Sequence, residues 1–180
     1  NQWYALAKIS GMKICEAYRK QFGCNFITLL PSNLYGPGDN FNLKNSHVPA
    51  ALMDRFHFAK EKKKKYVSVW GTGKPLREFL FVDDMAEASV FLAENYNLKE
   101  PINVGTGKEI SIEQFATLIK KVVSYNGKIV FDKKKPDGVY RKLLNVEKIN
   151  KLGWSAKTSV EIGLKKYYKW YLNNLDQIRR

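Results

Sequence analysis

The first forty residues constrain this chain more than any other stretch. Residues 1–21 contain no proline, one interior glycine (Gly11) and many good helix formers, and Gly23 supplies a stop. Cys24–Leu30, bounded by Gly23 and Pro31, then reads as a short buried strand. Residues 31–40 are rich in Pro, Gly and Asn and read as a loop. A helix leading at once into a buried strand and a polar loop is the second half of a βαβ unit. In open α/β sheets ligands bind beyond the C-terminal ends of the strands, which is where that loop falls.

The rest alternates in the same way. Asn45–Pro49 reads as a helix start, with Ser46 as cap and Pro49 in the first turn, and the helix is expected to reach about Lys64. Tyr66–Trp70 has strand periodicity, and residues 71–75 form a turn. A short apolar run at 78–82 precedes a helix capped by Asp83 and reaching Asn95, with Met85, Ala88, Phe91 and Leu92 on its apolar face. Strands are expected at 102–104 and 128–131. A capping box of Ser111 and Gln114 opens a helix to about Tyr125, and helices at 146–152 and 159–173 finish the chain. The fold class is α/β.

Charge narrows the partners. The net charge is +14, with lysine runs at 62–65 and 133–135. No helix-turn-helix, zinc or RNA-binding signature accompanies these runs, so they read as solvated surface that also attracts a small anionic substrate, not nucleic acid. No apolar run approaches the ~18 residues of a membrane span, and no signal peptide is visible. Cys15 and Cys24 lack metal-ligand spacing and read as free thiols of a reducing cytoplasm. The pairs Gly36/Gly38, Gly71/Gly73 and Gly105/Gly107 all miss the G-x-G-x-x-G pattern of a dinucleotide cradle.

Tyr4 and Lys8 stand four residues apart, on one face of the first expected helix. A phenol (free pKa about 10) beside an ammonium is suited to exchanging a proton with a substrate oxygen. Chance alone produces such a pair in a chain this rich in Tyr and Lys, so its weight comes from the motifs that follow.

Those motifs carry a family resemblance. Tyr4-x-x-x-Lys8 and Pro31-Ser32-Asn33-Leu34-Tyr35-Gly36-Pro37 resemble the extended short-chain dehydrogenase/reductases acting on nucleotide sugars. Four further blocks narrow the resemblance to the GDP-L-fucose synthase family. They are Asp39-Asn40-Phe41, Asn45-Ser46-His47-Val48, the run from Val69-Trp70-Gly71 through Arg77-Glu78-Phe79-Leu80 to Asp83-Asp84-Met85, and Lys135-Pro136-Asp137-Gly138 with Arg141-Lys142. The likeness covers the whole chain.

The resemblance implies the C-terminal part of a Rossmann-type doubly wound NAD(P)-binding sheet plus a smaller α/β substrate domain. Residues 1–40 belong to the first, 41–180 mainly to the second, and 78–104 return to the sheet. The family's Gly-rich turn, a catalytic Ser and a catalytic Cys lie upstream of the Tyr, and neither Cys15 nor Cys24 takes that cysteine's place. The implied activity is NADPH-dependent conversion of GDP-4-keto-6-deoxy-mannose to GDP-L-fucose by a cytoplasmic homodimer. Epimerisation at C3 and C5 needs a base, an acid and enolate stabilisation, and reduction at C4 needs a hydride and a proton.

By resemblance, Tyr4 donates that proton, Lys8 lowers its pKa and holds the nicotinamide ribose, and His47 is an acid/base for epimerisation. Pro31, Ser32, Asn33 and Leu34 line the nicotinamide side. Arg55, Trp70, Arg77, Asp137 and Lys142 contact the GDP-sugar, the guanidinium forks suiting pyrophosphate. His57 lies outside any motif, and Asp83 and Asp84 read as helix-start residues. Another nucleotide-sugar epimerase, reductase or dehydratase of the same superfamily stays open as an alternative, discriminated by His47. A non-enzymatic module binding a nucleotide or other anion stays open too, discriminated by salt-dependent RNA binding against GDP binding. The strand expected at Cys24–Leu30 would lack sheet neighbours in the isolated 180-residue chain. That chain is expected to be poorly stable and to lack reductase activity; a cooperative urea transition from an active monomer would contradict this.

Overall fold

The computed structural model describes residues 2–42 and 45–178; Asn1, where the first helix was expected to begin, lies outside them. Helix α1 spans Gln2–Phe22 and buries none of its residues. Gly23 follows at φ +67°, the left-handed turn that stops it. Arg19 ties the helix end down, donating from Nη1 to Asn25 Oδ1 at 2.8 Å and from Nη2 to the Asn97 carbonyl at 3.0 Å.

The first strand lies later than the apolar run suggests. β1 is Leu29–Pro31, not Cys24–Leu30, and it pairs in parallel with Ile102–Val104 (β6). The partner decides this. β6 is three residues long, and its first amide, Ile102 N–H, reaches Thr28 O at 3.0 Å, so the ladder has nothing to bond upstream. Asn33–Tyr35, expected as loop, forms β2 and pairs in parallel with β5, Phe79–Phe81. β3 (Tyr66–Trp70) occupies its expected residues and pairs in parallel with β8, Lys128–Asp132, burying Val67 and Val69 on alternate positions. A small sheet that no periodicity announced sets β4 (Leu76–Arg77) between β7 (Ile110–Ser111, antiparallel) and β9 (Arg141–Lys142, parallel).

The helices correct some expected caps and keep others. α2 is Val48–Glu61, with His47 and not Ser46 at the cap, and it ends before Lys63, whose φ is +48°. α3 is Val82–Asn95, capped by Phe81 and not by Asp83. Asp84 does more than start that helix: it is buried and accepts from Lys157 N, Thr158 N and Thr158 Oγ1 at 3.1, 2.9 and 2.7 Å. The Ser111–Gln114 capping box opens α4, Ile112–Val123. α5 is Glu147–Lys151, and Ser159 caps α6, Val160–Asn173.

Two apolar cores meet at β5. Leu80 points into one with Ala88, Leu92, Ile102, Val104, Ile149 and Trp154. Phe79 and Phe81 point into the other, an aromatic core with Tyr35, Phe41, Phe115, Tyr167 and Tyr171. Period-two alternation along one short strand thus divides its side chains between the cores. In the aromatic core Phe79 stacks on Phe115 at 4.0 Å, and Tyr35 meets Phe79, Phe81, Phe115 and Tyr167 edge-on. Helix α6 approaches so closely that a Cβ on Gly163 would stand 2.0 Å from the Tyr35 hydroxyl. Gly163→Ala is expected to destabilise the fold by about 1–3 kcal/mol through overpacking, read from the urea unfolding midpoint.

Candidate active site

A groove of about 1230 Å³ opens between α2 and β3. Outward positions of β3 supply Tyr66, Ser68 and Trp70 to its wall, and α2 supplies Arg55 and Phe58. Arg55 donates from Nη1 to Ser68 O at 3.4 Å, and its guanidinium carbon lies 5.6 Å from the Trp70 ring centroid. Lys135 Nζ lies 5.3 Å from the same centroid. Trp70 therefore presents an indole, 58% exposed, with two cations against it. From the sequence, the 133–135 run reads as solvated surface that attracts an anion, and Lys135 has no individual contact. Its place directly before Pro136-Asp137-Gly138 was the available signal.

The loop that carries Lys135 is fastened beside this groove. Asp137 accepts from Thr72 N at 2.6 Å and from Thr72 Oγ1 at 2.8 Å, and these two bonds hold its carboxyl below the usual carboxylate range. The turn opposite requires glycine: Gly71 sits at φ +81°, and a Cβ there would stand 2.1 Å from Asp137 Oδ1. Both Asp137 oxygens are thus engaged within the protein. Arg77 Nη1 donates to Leu76 O at 2.7 Å and Tyr140 O at 3.5 Å, and Arg77 lies in register with Lys142 across β4 and β9. Arg55 and Trp70 thus share the groove wall, Asp137 is bonded to the turn just after Trp70 and feels the Arg77 charge, and Arg77 pairs in register with Lys142.

His47 sits exposed at the N-terminus of α2 in extended backbone, and its imidazole makes no capping bond. Asp39 faces it electrostatically and is half-buried, accepting from Asn40 N at 2.8 Å and from the Tyr167 hydroxyl at 3.2 Å. Burial pushes the Asp39 carboxyl up, outweighing those two bonds and the His47 attraction. His57 belongs elsewhere: it is buried in the aromatic core with Nδ1 3.1 Å from the Tyr168 hydroxyl.

At the C-terminal end of β1, Ser32 N donates to Val104 O at 2.9 Å, while its Oγ is buried without a hydrogen-bond partner. Asn33 Nδ2 donates to Glu78 O at 2.7 Å, and Pro31 and Leu34 are exposed. An orphaned buried hydroxyl at a parallel strand's end fits a bound polar group. Tyr4 and Lys8 share one face of α1, Lys8 Nζ lying 5.4 Å from the Tyr4 ring centroid. Among the described residues no hydrogen bond or ion pair joins them to His47 or to the 31–34 segment. Among the described residues no group of three or more His, Cys, Asp or Glu could hold a metal, and no helix is long and apolar enough to cross a membrane.

Parallel strand pairs connected through helices define an α/β protein. The model of the NAD dependent epimerase/dehydratase family matches residues 1–105, and the chain belongs to that family. It is 53% identical over 175 residues to GDP-L-fucose synthase 1 of Arabidopsis thaliana, covering 97% of this chain and 54% of that protein. It is 52% identical over 175 residues to probable GDP-L-fucose synthase 1 of Oryza sativa subsp. japonica, covering 97% and 53%. A GDP-L-fucose synthetase from Naegleria fowleri, solved bound to NADP, superposes with a TM-score of 0.94 at 34% identity, over 98% of this chain and 57% of that one. The chain spans about half the length of the curated relatives it matches.

The raised Asp39 pKa has a direct consequence. A carboxyl whose folded pKa lies above its unfolded value costs stability at neutral pH, and the cost vanishes as pH falls below the ordinary value of 3.8. Asp39→Asn is therefore expected to raise the thermal unfolding midpoint at pH 7, with the gain shrinking towards zero in acid. A gain that grows in acid would show the opposite shift.

Proposed function

We propose that this chain is the catalytic-helix and substrate-binding portion of an NADPH-dependent GDP-L-fucose synthase. Its full-length form would convert GDP-4-keto-6-deoxy-mannose to GDP-L-fucose by epimerisation at C3 and C5 and reduction at C4. The observation that carries this reading is the display of cations: Arg55 and Lys135 against the exposed Trp70 indole, and Arg77 in register with Lys142 across β4 and β9. Guanidinium groups suit pyrophosphate oxygens, a half-exposed indole gives a flat apolar face, and the local positive charge draws in an anionic nucleotide. Asp137 serves this site by holding the Lys135 loop against Thr72.

Tyr4, Lys8, Pro31, Ser32, Asn33, Leu34 and His47 are the residues of this chain assigned to the nicotinamide end of NADPH, and the orphaned Ser32 hydroxyl suits that assignment. The bound cofactor supplies the hydride for C4. Tyr4 hands the C4 oxygen its proton, with the Lys8 ammonium held 5.4 Å from its ring centroid on the same helix face. His47, exposed and not used in capping, exchanges protons at C3 and C5. The same reading makes the full-length enzyme a cytoplasmic homodimer, by family resemblance.

The test is direct. Full-length protein given GDP-4-keto-6-deoxy-mannose and NADPH should release GDP-L-fucose, and its absence would overturn the assignment. Tyr4→Phe is expected to slow NADPH oxidation by about 10²–10⁴-fold while solvent deuterium still enters at C3 and C5. His47→Gln is expected to suppress that deuterium entry by a similar factor.

A further inference from the structure

Glu78 is fully buried, yet it stands next in sequence to Arg77, on the segment that leads from β4 to β5. Its Oε1 accepts from Thr106 N at 2.6 Å and Gly107 N at 2.9 Å, with Thr106 Oγ1 at 3.4 Å, and its Oε2 accepts from Leu144 N at 2.9 Å. All of these donors are neutral. A buried carboxylate taken from water without a cation is costly, and amide and hydroxyl donors on both oxygens are what make the position tolerable. The space is shaped to it as well: a Cβ on Gly105 would stand 2.2 Å from Oε1. The main chain of Glu78 is occupied too, its carbonyl accepting the Asn33 side chain at 2.7 Å.

These bonds divide between two segments. Oε1 grips the turn after β6. Oε2 grips Leu144, two residues beyond Lys142, so it sets the end of β9 against β4, where Arg77 and Lys142 lie in register. We propose that Glu78 is a positioning residue for nucleotide-diphosphate binding: through Leu144 it holds Lys142 beside Arg77 so that both cations address the same anion. The inference rests on the proposed reading of Arg77 and Lys142 as substrate contacts.

Glu78→Gln tests it selectively. The amide oxygen can still serve Thr106 and Gly107, but its NH2 then faces the Leu144 N–H, donor against donor, and β9 loses its anchor. In the full-length protein this substitution is expected to weaken GDP binding, measured by calorimetry, and raise the KM for the GDP-sugar at least tenfold. The kcat and the NADPH Kd should stay within about threefold. If Glu78 acts through Lys142, adding Glu78→Gln to Lys142→Met should weaken GDP binding less than about threefold further.

Should Glu78→Gln not fold, Gly105→Ala, which crowds the same carboxylate, is expected to give the same split between GDP and NADPH. Multiplicative losses, equal losses for both ligands, unchanged GDP affinity, or failure of both variants to fold would each overturn the role and leave Glu78 a structural residue. Wild-type protein that binds GDP but forms no GDP-L-fucose counts against the proposed reaction and leaves the Glu78 readout intact. Wild-type protein that does not bind GDP overturns both.

Discussion

Among the described residues, the backbone of residues 76–81 joins two of the four sheets and both apolar cores. Within that segment β4 bonds to β7 and β9, Glu78 bonds to the turn after β6 and to Leu144, and β5 bonds to β2. Its alternating side chains then serve both cores, Phe79 and Phe81 in one and Leu80 in the other. A short stretch that supplies ladder hydrogen bonds on both edges and apolar packing on both faces admits little displacement. A shift of one residue would exchange the two cores' side chains and move Arg77 away from Lys142.

The candidate site inherits its order from that spine. Arg55 comes from a helix and Trp70 from a strand end, while Lys135 and Asp137 come from a loop fastened by Thr72. Each element is held by something other than the ligand: α2 packs through Phe56 and Met53, β3 through Val67 and Val69. On the proposed function, charges placed on such supports do not have to be gathered around an anion, which lowers the entropic cost of binding it. The abundance of lysine matters here as a background field. The cations that approach the Trp70 indole are held on α2 and on the fastened loop.

Long elements with a clear apolar period were legible from the residues alone. β3 falls on the five residues expected, and α4 begins at the capping box that Ser111 and Gln114 announce. Where local chemistry competed with distant partners, the distant partners won. His47 took the cap position from Ser46, and Cys24–Thr28 gave way to Leu29–Pro31 as strand because β6 offers a ladder only there. β2, β4, β7 and β9 run for two or three residues each, too short for any period to show.

For the site, the sequence by itself determined which chemical groups are available. It supplied a Tyr and a Lys one helical turn apart, a His at a helix start, and arginines and a tryptophan in blocks resembling nucleotide-sugar enzymes. Side-chain identity and spacing along one element are local properties, so they survive without coordinates. Only the tertiary structure decided that Lys135 joins Arg55 at Trp70, that Asp137 is spent on Thr72, and that a buried Glu78 links the Arg77 strand to the segment after Lys142. Those contacts join residues dozens of positions apart. They depend on parallel strand pairings whose register no single segment encodes, because each partner acquires its geometry only from the other.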